Sequence, residues 1–75
     1  MITIVYFYTT HALEKMDALG IGKSEAELVI TRGMKWKEEK RDEIWHASMG
    51  NLEVVFGKED SSIVIITVYL ARREK

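Results

Sequence analysis

The 75-residue chain contains no cysteine, no proline and no glutamine, and a single asparagine. Without cysteine there is no disulfide scaffold, no thiolate metal cluster and no cysteine nucleophile, so thiol redox chemistry is excluded. Long apolar runs are missing too: none exceeds five residues, far short of the ~20 that a membrane-spanning helix needs. Nor is there an excess of one charge sign. Eleven basic and 12 acidic side chains leave a net charge of −1, and no global field draws the chain onto nucleic acid or anionic lipid. The apolar opening Met1–Tyr8 has no basic region before it and no small-residue cleavage pattern after it, so it does not read as a signal peptide. The expectation is a soluble cytoplasmic protein with no membrane partner.

What is present is a balance of 47% hydrophobic and 31% charged residues, which describes one compact domain over residues 1–75. A chain this short buries only roughly 60–65% of the surface its unfolded form exposes, so a homodimer is a natural way to widen its stability margin. Few amides and many charges are also the usage of heat-adapted (thermophile) proteins.

Periodicity divides the chain in two. Residues Ile2–Tyr8 are almost all β-branched or aromatic and predict a strand buried on both faces. After a Thr10 cap, Ala12, Leu13, Met16 and Leu19 recur at helical spacing up to Gly20, which is placed to end that helix in the left-handed conformation. Ser24-Glu25-Ala26-Glu27 reads as a capping box opening a second helix that stops near Gly33. The period then falls from 3.6 to 2. Met34 and Trp36 begin a short strand, and Gly50-Asn51 marks a two-residue hairpin. That turn pairs Met49 with Leu52, Ala47 with Val54 and Trp45 with Phe56, leaving His46, Ser48, Glu53 and Val55 on the other face. Ile63–Leu70 is a final, central strand on which Thr67 and Tyr69 share a face. The predicted fold is α+β: an N-terminal strand, two helices, then three or four antiparallel strands, with both helices on one face of a single sheet.

Several motifs invite chemistry. Gly22-Lys23-Ser24 suggests a phosphate loop, but Asp17 stands where that loop needs a glycine and a helix precedes it instead of a strand. The two histidines, His11 and His46, have no metal-ligand spacing between them, so no metal and no cofactor is expected. His11 falls in the first turn of a helix, where the dipole favours the neutral imidazole and an anion is welcome; that suits a general base beside a phosphate, against the plainer reading of an exposed helix-start histidine. His46 is placed where an acid partner would sit, or is a structural strand histidine. Lys35, Lys37, Lys40 and Arg41 interleave with Glu38, Glu39, Asp42 and Glu43 around Trp36, a balance that favours a solvated segment over a base-stacking platform. The tail Ala71–Lys75 offers Arg72 as a phosphate clamp, or a solubilising terminus.

The segment Thr10-x-Ala12-x-x-Lys15-Met16, the Gly20-Ile21 turn with Ser24-x-x-Glu27, the Leu52–Phe56 strand and the Ile65–Tyr69 ending together resemble the domain of unknown function 4258 family over nearly the whole chain. Such domains are similar to the RelE/ParE-like (barnase-EndoU-colicin-RelE) fold group, many members of which are ribonuclease toxins paired with an antitoxin protein. The resemblance implies RNA as substrate, cleaved without metal through attack by the ribose 2′-hydroxyl. It implies His11 as base or acid, Thr67 and Tyr69 in contact with substrate, and Arg72 and Lys58 as phosphate ligands. Lys15 departs from the pattern, standing where the family often shows arginine. The competing expectation is a non-catalytic interaction module or homodimer, in which His11 and Tyr69 are structural.

Overall fold

The structure, a computed structural model, describes residues 3–41 and 43–70. Its elements run β1 (Val5–Tyr8), α1 (Thr10–Leu19), α2 (Lys23–Arg32), β2 (Met34–Lys37), β3 (Ile44–Met49), β4 (Leu52–Glu59) and β5 (Ser62–Leu70). The five strands form one mixed sheet in the order β1-β5-β4-β3-β2, with β1 parallel to β5 and every other pair antiparallel. Both helices pack on the same face, α1 against β5 and α2 across β2, β3 and β4. This is the α+β arrangement that the change of period predicts, with four strands after the helices.

The β3–β4 hairpin follows the predicted register: Met49 pairs with Leu52, Ala47 with Val54 and Trp45 with Phe56. Gly50 takes a positive φ of 64°, as the first central residue of a type II′ connection requires. The inward face of the hairpin supplies Ala47, Val54 and Phe56 to a core completed by Ile63, Ile65 and Val68 of β5 and by Ala12, Met16, Ala26, Val29 and Ile30 of the helices.

Three local expectations are corrected. The first strand is an edge strand in which Tyr6 and Tyr8 turn inward while Val5 and Phe7 stay exposed. Its apolar run therefore does not imply burial on both faces, because the helices cover only the face to which Tyr6 and Tyr8 turn. The cap of α1 is Thr9, whose hydroxyl oxygen accepts from the Ala12 N–H at 3.0 Å, so the helix begins one residue earlier than a Thr10 cap allows. The cap of α2 is Gly22, and Glu25 rather than Glu27 reaches back, accepting the Gly22 N–H at 2.9 Å. Glu27 is drawn instead to the sheet, where it accepts the Tyr8 hydroxyl proton.

The strand pair β4–β5 contains a bulge. Val55 faces Thr67 and Phe56 faces Ile65, so Ile66 has no partner across the ladder. An extra residue reverses side-chain parity along the strand. Before it, Ile63 and Ile65 point to the helices; after it, Val68 does, and Thr67 and Tyr69 are moved to the face that no helix covers.

Candidate functional site on the helix-free sheet face

Strand alternation brings a group of polar side chains together on the uncovered face. Glu53 lies on β4 between Tyr69 of β5 and Ser48 of β3, and His46 sits one pair further along β3. The Tyr69 hydroxyl donates to Glu53 Oε2. The same oxygen lies 3.1 Å from His46 Nδ1, while His46 Nε2 lies 3.0 Å from Glu38 Oε1 in the segment after β2. Arg41 Nε donates to the other Glu38 oxygen at 3.0 Å. Trp36 of β2 stacks on the imidazole with ring centroids 5.3 Å apart and planes within 6°. The result is a continuous relay, Tyr69–Glu53–His46–Glu38–Arg41, crossing three neighbouring strands and ending in the segment after β2.

The relay alternates donors and acceptors. A doubly protonated His46 donates to both carboxylates at once, whereas a neutral ring serves only one as donor. Side-chain exposure falls from 65% at Arg41 to 17% at His46 and 13% at Glu53, so the inner members are shielded from water and their hydrogen bonds are stronger than surface ones. Burial, followed by the hydrogen bond to Glu53, pushes the Tyr69 phenol up to about 12. Tyr69 is therefore a neutral donor throughout the physiological range. The hydrogen bonds from His46 and then from Arg41 hold the Glu38 carboxyl below its ordinary value. Beside the outer end, Trp36, Lys37, Glu38, Glu39, Lys40 and His46 line a recess of about 460 Å³.

The sequence-predicted residues divide among several places. Thr67 and Tyr69 share the uncovered face, and Tyr69 and His46 meet through Glu53. His11 is exposed in the first turn of α1. The start of that helix is tied to β5: the Thr9 hydroxyl donates to the Ile66 carbonyl at 2.9 Å and the Thr9 N–H to the Ile65 carbonyl at 3.1 Å. His11 thus follows by two residues an anchor that precedes Thr67 by one. Lys58 shares the strand parity of Val54 and Phe56 and belongs to the helix-covered side. It is not brought together with Tyr69. Arg72 lies outside the described residues. Among the described residues no group of three or more acidic or imidazole side chains is arranged to hold a metal ion.

Sequence reasoning singled out His46 and Tyr69 but missed Glu53 and Glu38 as their partners. The outward parity of Glu53 was visible in the hairpin; its union with Tyr69 depends on the bulge, which has no sequence signal here.

Fold and site together define a small α+β domain with one sheet face buried under two helices and the other carrying a partly shielded Tyr-Glu-His-Glu relay. The chain belongs to the family described as Domain of unknown function (DUF4258), whose model matches residues 8–70. No curated protein and no solved structure matches it. None of the described helices is long and apolar enough to cross a membrane.

Proposed function

We propose that the chain is a metal-independent ribonuclease of the RelE-like kind, acting on RNA at the edge of the helix-free face where the start of α1 meets β5. The observation that carries this reading is the Thr9 anchor, which sets the helix turn holding His11 beside the strand residue preceding Thr67. In the reaction, the ribose 2′-oxygen attacks phosphorus, its proton passes to His11, and the bond to the 5′-oxygen breaks, leaving a 2′,3′-cyclic phosphate and a 5′-hydroxyl as that oxygen takes a proton from water. The Thr67 hydroxyl donates to a phosphate oxygen, where donors aimed at developing charge do the most work, while Tyr69, whose one hydroxyl proton goes to Glu53, meets the substrate through its ring. Arg72 is assigned to the phosphate on sequence grounds, and Lys58 is not, because it pairs with Ile63 near the start of β5, away from the Thr9 anchor at Ile66. Both ring nitrogens of His46 are engaged, which suits a residue that fixes Glu53 beneath Tyr69 rather than one that reaches substrate.

The test is cleavage of total RNA in excess EDTA by the wild type and His11→Ala, with analysis of the product ends. Cleavage by the wild type alone, leaving cyclic phosphate ends, is the expected result. Equal cleavage by both proteins, or none by either, overturns the reading.

A specific observation favours a second reading, a homodimer with an antitoxin or other partner as the variant case. The β1 edge carries no charged residue from Ile4 to Tyr8 and exposes Ile4 and Val5 (each 46%) and Phe7 (53%), whereas the opposite edge, β2, carries Lys35 and Lys37. Edge lysines oppose strand addition, and an uncharged apolar edge invites it. Light scattering across micromolar dilution checks this reading: a dimer that Phe7→Lys converts to monomer supports it, and a strict monomer opposes it.

A further inference from the structure

The helices leave one end of their own sheet face uncovered. There Ile4, Tyr6, Ile63, Phe56 and Trp45 floor and wall a cavity of about 420 Å³, closed on one side by Ile30 and Thr31 of the last turn of α2. The volume falls within the roughly 300–1,000 Å³ range of small-molecule sites, and an apolar lining with a few polar groups is their usual make-up. Among the described residues, the charged groups lining it are of one sign. Lys35 and Lys58 are both exposed, and neither makes an ion pair among the described residues. Lys35 Nζ is steadied at 3.2 Å by the Gly33 carbonyl at the end of α2. Lys37 adds a third cation beside the same wall, its ammonium 5.5 Å from the Trp45 ring centroid. Glu27, whose charge acts on Tyr6, accepts the Tyr8 hydroxyl proton and is not among the lining residues.

We infer that this cavity binds a small amphipathic anion, a free aromatic or medium-chain carboxylate, with its apolar body on Trp45, Phe56 and Ile63 and its charge met by Lys35 and Lys58. The site lies on the opposite side of the sheet from Tyr69 and Glu53, and the inference does not depend on the ribonuclease reading. Desolvating an isolated cation is costly and desolvating a cation matched by an anion much less so, so the rim selects the sign of the ligand while the floor supplies the affinity.

The probe is anilinonaphthalene sulfonate, an aromatic anion that fluoresces in apolar surroundings, titrated into the full chain and then displaced by decanoate or by decyltrimethylammonium. A Trp36→Phe background leaves Trp45 as the sole tryptophan, so that its emission reports occupancy directly. Displacement by decanoate but not by the cation, a shift in Trp45 emission, and about tenfold weaker probe binding in the Lys35→Glu/Lys58→Glu variant are expected. Circular dichroism of that variant establishes that it is folded. Equal displacement by the cation, unchanged binding in the folded double variant, or no probe fluorescence with the wild type overturns the inference.

Discussion

Tyr69 makes the uncovered face sensitive to alkali. Its folded-state phenol is raised to about 12 by burial and by Glu53, against an ordinary value of about 10. A raised value means that the interaction is fully present below the ordinary one and is lost as pH climbs through the folded one. Unfolding free energy should therefore fall between about pH 10 and 12, and Tyr69→Phe should flatten that fall in urea titrations. Tyr8, raised by burial and by its hydrogen bond to Glu27, adds to the same loss from the same starting point and carries it to higher pH. At neutral pH, Tyr69→Phe should cost about 1–2 kcal/mol, because the hydrogen bond it removes ends on a charged, shielded carboxylate. Glu38 behaves in the opposite sense. Its lowered carboxyl contributes above the ordinary carboxylate value and ceases to contribute as pH falls through the folded one, so Glu38→Gln should reduce the acid dependence of stability.

At the scale of elements, two glycines separate conformational need from spatial need. Gly20 ends α1 at φ 72° with open space where a side chain would stand, so Gly20→Ala should cost only about 1–2 kcal/mol of left-handed strain. Gly33 has an ordinary extended φ, but a Cβ there would lie 2.5 Å from the backbone oxygens of both Ser48 and Val29. Backbone cannot retreat as a side chain does, and Gly33→Ala should cost about 3 kcal/mol or more by prying α2 from β3. Urea unfolding of the two variants side by side checks the order. Thr9→Ala, which removes the cap of α1 and its tie to Ile66 together, should cost about 1–2 kcal/mol and raise hydrogen exchange in α1 more than in α2.

These elements also show what sequence can carry. Gly50-Asn51 and the alternating residues around it determine the β3–β4 register because a one-residue slip would turn Ala47, Val54 and Phe56 to the wrong face. The helices were legible from spacing, but their starts were misread by one or two residues. At both caps, nearby residues that are each favoured at an N-cap compete: Thr9 with Thr10, and Gly22 with Ser24. The bulge at Ile66 was not legible, since in the run Ile63–Ile66 any residue is apolar enough to face the core. The β5 end of the candidate site depends on it. Plain alternation would leave Tyr69 on the same side as Ile65, away from Glu53.

Across the whole molecule, the two faces of the sheet divide the labour. One is committed to the core, with the cationic cavity at its uncovered end; the other carries the relay. This separation yields a further expectation: Lys35→Glu/Lys58→Glu should leave Tyr69-dependent alkaline sensitivity unchanged, while Tyr69→Phe should leave probe binding unchanged, because effects at distant sites without shared partners are independent. Measuring both properties in both variants checks it. Coupling between them would mean that the sheet transmits strain from one face to the other.

The parallel pairing of β1 with β5 joins Val5 to Ser62 and Tyr8 to Ile65, and so closes the sheet with the two strands furthest apart in the sequence. Strands β2 to β5 are joined successively by short connections, and each can pair as soon as the next is available. β1 has no such neighbour. During synthesis the first strand made is the last able to dock, and Val5–Tyr8 must wait unpaired until Ser62–Ile65 has been translated. A nascent chain stopped before β5 would hold this apolar segment open to any other strand it met.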